Sequence, residues 1–422
     1  MKFLVTIFLL NSFLFPQIKF EDHFLDKTLR IDYFHTGNVE NEYYSIDELI
    51  EEPFWGGSKI NLVDKFNFGK YEIVVYDSVT DNIICSKTYS TLFSEWQTTE
   101  EAKSTFRTFT ETVIIPYPKN KIRVEFFSRN KRNDWIKKFE YAVDPQNYFI
   151  KKERTRELNS FQVFNSGAAS SKVDIVILPE GYTKSEMEVF KNDCKKFADY
   201  FFDKSPFKEN KEKFNILGVE AASDESGTDF PGKGIWKKTL LNTNFYTFGT
   251  ERYLMTTDNK TVRDVASNVP YDQIYILVNT TEYGGGAIYN YYSVCMNNNR
   301  FEGQVFVHEF GHGFASLADE YVTDDVSYQN FYELDIEPAD PNITTLVDFN
   351  SKWKNIVDDD TPIPTPETKE YENKVGAFEG GGYVARGIYR PMYDCIMRSN
   401  SAKEYCEVCK KTIQDMIDFY SE

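Results

Sequence analysis

The hydrophobic pattern changes character once along this chain, and that change sets what it can fold into. From about residue 20 to 150, apolar residues recur with a period of two between turn signals, over residues 71–77, 83–89, 108–117 and 121–127. Alternation turns one face of each segment inward, so short strands at this spacing predict an antiparallel β-sandwich. From residue 172 onward, strands and helices alternate instead. Residues 173–178 read as a buried strand, 181–183 as a turn, and 183–202 as an amphipathic helix capped by Thr183. Further strands are expected over 215–222, 271–279 and 292–296, the last preceded by a Gly-Gly-Gly-Ala stretch at 284–287. Such alternation is that of an α/β body. Residues 151–171, charged and then small and polar, read as an interdomain linker, and 322–375 as long surface loops.

A chain of 422 residues exceeds the size at which one core usually stops growing, and 41% hydrophobic residues can fill two. With 48 Lys and Arg against 66 Asp and Glu, the net charge of −18 repels phosphate backbones and anionic membranes, so no nucleic-acid partner is expected. The N-terminus has a short basic start and then an apolar run of about thirteen residues, the pattern of a secretory leader and too short to span a bilayer. The expected division is therefore a leader over 1–17, a β-sandwich over 18–150, a linker over 151–171 and an α/β body over 172–422. Export implies a secreted, periplasmic or cell-surface protein. There, Cys395, Cys406 and Cys409 are expected to form a disulfide or to be simply buried, because the sequence offers no obvious fourth ligand for a metal. The first cysteine is Cys85, so no cysteine follows the apolar run to take a lipid.

The chemistry gathers at His308-Glu309-Phe310-Gly311-His312, in a chain with four histidines, of which the other two, His23 and His35, read as isolated. Residues four apart on a helix lie one turn apart and about 40° around its axis, so both imidazoles can face one cation. In this H-E-x-x-H spacing two histidines bind zinc and the glutamate takes a proton from an activated water. Phe306, Phe310, Phe314 and Leu317 fall on a face suited to a core. Gly311 and Gly313 each cost about 1 kcal/mol relative to alanine in a helix interior, which implies close approach of a neighbour. A catalytic zinc needs a third protein ligand, and no histidine follows His312. The candidates are Asp319, Glu320 and the remote Glu379. Asp319 can serve only if the helix bends or ends before it, since seven further residues advance about 10 Å along a straight helix.

Residues 308–321, HEFGHGFASLADEY, resemble the active-site segment of the IgA peptidase family of secreted zinc metallopeptidases. Residues 173–182, the block from Glu379 through 387–391 to 395–398, and 405–409 resemble other segments of that family, so the likeness covers about 160–420. The resemblance implies a zincin-like α/β body that hydrolyses peptide bonds, with Zn2+ on His308, His312 and Asp319 and with Glu309 as general base. The third histidine of the metzincin pattern would fall at Ala318, so that pattern is departed from. Tyr383, Tyr393 and Arg398 are candidates to stabilise an oxyanion, and Met397 is a candidate floor beneath the metal. The 284–287 stretch is a candidate border to an edge strand that pairs with substrate. The expected partner is a protein or peptide substrate of unknown identity. The rival readings are a noncatalytic surface binding protein and a zinc hydrolase of a nonpeptide amide or ester.

Overall fold

The structure, a computed structural model, describes residues 18–323 and 331–422. The expected leader lies outside the described residues, as does part of the 322–375 loop region. The N-terminal module begins with a short helix, α1 (Phe20–His23), and contains strands β1 (Phe24–Gly37), β2 (Glu42–Glu52), β3 (Tyr71–Asp77) and β4 (Ile83–Tyr89). Helix α2 (Leu92–Trp96) follows, then β5 (Arg107–Pro118), β6 (Ile122–Arg129) and β7 (Trp135–Val143). The strands form two antiparallel sheets, ordered β2-β1-β5 and β4-β3-β6-β7. Alternate residues of both sheets share one core: Leu29, Ile31 and Tyr33 of β1 meet Tyr71, Ile73 and Val75 of β3. The four period-two segments are strands β3 to β6, whereas β1, β2 and β7 were not foreseen. Polar residues buried within β1, such as Arg30 and Asp32, blur its alternation.

The second body is a six-stranded sheet ordered β12-β13-β11-β9-β10-β8. Its strands are β8 (Ser160–Phe164), β9 (Val173–Glu180), β10 (Phe214–Val219), β11 (Gln273–Val278), β12 (Gly285–Ile288) and β13 (Tyr292–Met296). The four central strands are parallel and both edges are antiparallel. Part of the stretch read as a linker is thus strand β8, which is polar outside because it forms the sheet edge. β9 is buried on both faces: Val173, Ile175 and Ile177 feed one core, and Val176 and Leu178 the other. Helices α3 (Met187–Phe202), α5 (Glu302–Ala315) and α6 (Glu407–Ser421) fill the first core, while α4 (Asn259–Ala266) lies on the opposite face. Thr183 caps the segment leading into α3 through a reciprocal capping box with Glu186, by way of a 3-10 turn that precedes the α-helix. A final hairpin, β14 (Phe378–Gly381) and β15 (Val384–Arg390), follows the long loops.

The two bodies are fused rather than tethered. Phe93, Trp96, Phe109 and Ile114 of the N-terminal module belong to the same apolar core as Val262, Val265 and Ile276 of the second body. Arg30, 1% exposed, donates to Asp32 at 2.7 and 2.8 Å and to Asp264 of α4 at 2.6 Å. Removing one partner from such a buried set leaves an uncompensated charge, so it fixes the relative position of the bodies more firmly than an exposed pair would.

His35 is not isolated, as the sequence suggested. β1 lies between β2 and β5, which brings His35 Nδ1 to 2.9 Å from Glu111 and its Nε2 to 3.2 Å from Glu42. Burial alone would lower His35, yet Glu111 and Glu42 hold it above its ordinary 6.5. Burial alone would raise Glu42, but hydrogen bonds from His35, Ser128 and Lys138 pull it down to about 2. A base raised on folding contributes fully below its unfolded value and loses that contribution as pH climbs through its folded value. An acid depressed on folding contributes fully above its unfolded value and loses that contribution as pH falls through its folded one. The stability this cluster confers should therefore be greatest between 4.5 and 6.5. Thermal unfolding across this range should show His35→Gln flattening the alkaline limb of the parent curve. An unchanged limb would remove the cluster from the stability balance.

Candidate active site

Helix α5 carries His308, Glu309 and His312, and its register follows from what it packs on. Phe306, Phe310 and Phe314 enter the core, with Phe306 stacked on Tyr275 at 4.1 Å between centroids. The glycines mark close approaches. A methyl at Gly311 would lie 2.8 Å from Met397 Sδ and 3.1 Å from the Tyr405 hydroxyl, and one at Gly313 would collide with Ser293 of β13. The opposite face opens to a cleft, where His308 and His312 keep 16% and 17% of their side chains exposed.

The helix ends at Ala315 because Ser316 adopts a left-handed conformation, φ 51°, and its N–H bonds back to the last turn. The chain therefore reverses instead of advancing, and Asp319 returns to the histidines. Its Oδ1 lies 3.1 Å from His308 Nε2 and 3.3 Å from His312 Nε2, and the two Nε2 atoms are 3.0 Å apart. His308 Nδ1 donates to the Ile396 carbonyl at 2.9 Å and His312 Nδ1 to that of Leu317. A carbonyl only accepts, so Nδ1 carries the hydrogen in each neutral ring and both Nε2 lone pairs face Asp319. Tyr383 donates to Asp319 Oδ2 at 2.6 Å, while Oδ1 accepts no hydrogen bond from the described residues.

Two lone pairs and a carboxylate oxygen in mutual contact call for a cation. A tetrahedral ion with bonds of about 2.1 Å separates its ligands by roughly 3.4 Å, close to the three spacings found here. Burial would lower His312, but Asp319 and Glu309 raise it to about 9. Burial would raise Asp319, but the imidazoles hold it well below the usual carboxylate range. The residues present thus fit a metal ion, with protons competing for the same lone pairs. Glu309 is buried beside them, its carboxylate within 4.8 Å of both ring nitrogens. Burial raises its pKa and the two imidazoles oppose that rise.

The other candidates separate cleanly. Glu320 points away, into a cluster of cysteines, and Glu379 is exposed on β14. Met397 lies against α5 at Gly311, fully buried. Tyr383 and Arg398 line the cleft, but Tyr393 does not: its ring lies beneath the Arg398 guanidinium and its carbonyl accepts from that group. Tyr383, read as an oxyanion donor, has its hydroxyl engaged by Asp319. Sequence reasoning missed Arg252 and Tyr321, which face each other on the cleft wall, and Asn342, whose amide brackets Ala318 and Glu320. Tyr321 closes the HEFGH segment and was visible there, whereas Arg252 and Asn342 carry no local pattern.

The cleft, about 1120 Å3, runs between the two bodies, with Lys70, Glu95, Arg129 and Lys131 of the N-terminal module on one wall. A family model described as IgA Peptidase M64 matches residues 161–373 and 367–417, and one described as Peptidase M64 N-terminus matches 19–140. The chain belongs to the IgA peptidase M64 family. No curated protein matches it. Membership of this family makes the chain a metallopeptidase, with a metal ion as cofactor and peptides as substrates. The M64 N-terminus model coincides with most of the antiparallel module, and the main M64 model begins within β8.

Tyr383→Phe keeps the ring and removes the hydroxyl donated to Asp319 Oδ2 at 2.6 Å. Loss of such an orienting bond typically weakens metal affinity by about 10- to 100-fold. Titration of metal-free protein against a competing chelator should show a loss of that size. An affinity within about twofold of the parent would mean that the Tyr383 hydroxyl does not orient Asp319 for the ion.

Proposed function

We propose that this M64 chain is an exported zinc endopeptidase in which His308, His312 and Asp319 hold the ion and Glu309 is the general base. The convergence of two imidazole lone pairs and Asp319 Oδ1 beside the buried Glu309 carboxylate carries this reading. Zinc suits two nitrogens and one carboxylate oxygen with a position left open. When bound, it supplies Lewis acidity, which polarises a scissile carbonyl and makes water acidic near neutral pH. Glu309 takes the proton of the attacking water and passes it to the departing amine, a task favoured by burial that raises its pKa above the ordinary carboxylate value.

Substrate orientation falls to β12, the sheet edge along the cleft. A methyl at Gly285 would lie 2.9 Å from Glu309 Oε1, so only a glycine lets this strand approach the base so closely. Gly285 bonds outward to Arg252 and Leu254, each at 3.2 Å. By alternation Ala287 is the next residue facing outward, and an extended peptide pairs there. Arg252 and Tyr321, which face each other in the cleft lining, would steady the carbonyl oxygen. The helix of paired histidines beneath an edge strand of a mixed sheet supports the zincin-like description. The apolar N-terminal run supports export, with 1–17 removed and the following residues up to 150 serving as a wall of the cleft.

A site of 1120 Å3 exceeds the usual 300–1,000 Å3 of small-molecule pockets, which favours an extended chain over a compact nonpeptide amide or ester. A noncatalytic binding protein would have no use for a base beside the metal. Glu309→Gln should retain one ion at this site while cleavage of a mixed peptide library falls by about 10²- to 10⁴-fold. Metal content by elemental analysis, taken alongside cleavage, separates the readings. Equal cleavage by the variant would remove Glu309 from the mechanism, and metal without cleavage in the parent would turn the reading toward binding.

A further inference from the structure

Beneath the histidines lies a second cluster that peptide hydrolysis does not use. Cys395, Cys406, Cys409 and Glu320 are at most 3% exposed, and their ligating atoms lie within 4.8 Å of one another. Cys395 Sγ is 3.9 Å from Cys409 Sγ, and Glu320 Oε1 is 3.3 Å from Cys409 Sγ and 3.9 Å from Cys406 Sγ. A tetrahedral ion with bonds of about 2.3 Å to sulfur and 2.1 Å to oxygen separates its ligands by roughly 3.5–3.8 Å. A disulfide requires about 2.05 Å, and all six cysteines are free. Pairing any two of these three thiols would also strand the third beside a buried carboxylate.

Glu320 supplies the independent observation. It is 0% exposed, its Oε2 accepts no hydrogen bond and no cationic side chain forms an ion pair with it among the described residues. Asn342 donates only to Oε1, at 2.9 Å. A buried carboxylate whose only cationic influence is Arg390, beyond ion-pair distance, is unfavourable, and here it is clustered with three sulfurs. Backbone donors already face two of the sulfurs. The Cys406 N–H donates to Cys395 Sγ at 3.2 Å and the Cys409 N–H to Cys406 Sγ at 3.4 Å, at the start of the fifteen-residue helix α6.

We propose that Glu320, Cys395, Cys406 and Cys409 form a closed, four-ligand structural site for a second thiophilic divalent cation of the zinc class. The site ties the catalytic segment to the C-terminal helix. Glu320 follows Asp319 directly, and its N–H donates to the Met397 carbonyl at 2.8 Å. Cys395 precedes Ile396, whose carbonyl orients His308. One ion thus clamps both strands of backbone that aim the catalytic ligands, and it shields thiols that an oxidising compartment would otherwise pair.

The test uses full-length His308→Ala/His312→Ala protein purified without reductant. Elemental analysis should find one ion per chain retained, against two in the parent, and none once Cys409→Ser is added. Loaded with cobalt(II), the double variant should show thiolate-to-metal charge-transfer absorption. If the cysteine variant does not fold, alkylation of the denatured parent should label Cys395, Cys406 and Cys409, and a mercurial titrated into the double variant should release its ion. An ion-free double variant, a cobalt spectrum without sulfur bands, or a disulfide among the three cysteines would overturn the site. None of these readouts depends on peptide cleavage, so a failure of the proposed activity leaves them intact.

Discussion

A helix that carries two histidines four residues apart cannot bring its own third ligand to them while it continues. Seven residues beyond His312, an unbroken helix would carry Asp319 about 10 Å along the axis. The left-handed turn at Ser316 ends α5 and sends the chain back, so that Asp319 Oδ1 closes on both Nε2 atoms. Most other features around the site serve to hold that reversal. Asn342 brackets Ala318 through both halves of its amide, the Gly382 N–H donates to the Asp319 carbonyl, and Tyr383 fixes the carboxylate.

The sheet provides the rigid reference for these groups. Gly313 allows α5 to settle onto β13, and Gly285 lets the edge strand pass beside Glu309, so the carboxylate and the strand edge are placed by backbone packing instead of by flexible side chains. The N-terminal module then closes the cleft from the other side. Its apolar residues join the core under β11 and α4, and Arg30 bridges to Asp264, which makes the cleft a property of two fused bodies.

The two metal-fitted clusters divide the segment after α5 between them. Asp319 turns toward the histidines and the cleft, whereas Glu320 turns inward to the cysteines. Adjacent residues on an extended chain point to opposite sides, so one backbone segment serves an open, exposed site and a closed, buried one. The contrast in exposure matches the difference between chemistry that must admit substrate and a clamp that must not.

The local patterns that specify strands β3 to β6, β9, β11 and β13, the capped entry to α3 and the helix bearing His308, Glu309 and His312 can be read directly from the chain. In each, the periodicity or spacing arises within one element, so neighbours in sequence hold the whole signal. Asp319 was legible as one of three candidates, because whether a helix ends is a local question but where the chain goes next is not. Strand β8 looked like a linker, as an edge strand has one side in solvent and little apolar pattern. Tyr393 looked like a site residue because it sits near others that line the cleft, and only packing shows its ring turned toward Arg398. His35 looked isolated because its carboxylates come from β2 and β5, and the cysteine cluster lacked a fourth ligand because Glu320 lies 75 residues before Cys395 in the chain. The sequence by itself determined the two patterns of folding and the spacing that sets His308, Glu309 and His312 on one helix. The tertiary structure alone decided which carboxylate faces which cluster, because convergence of donors from distant segments depends on how the core packs.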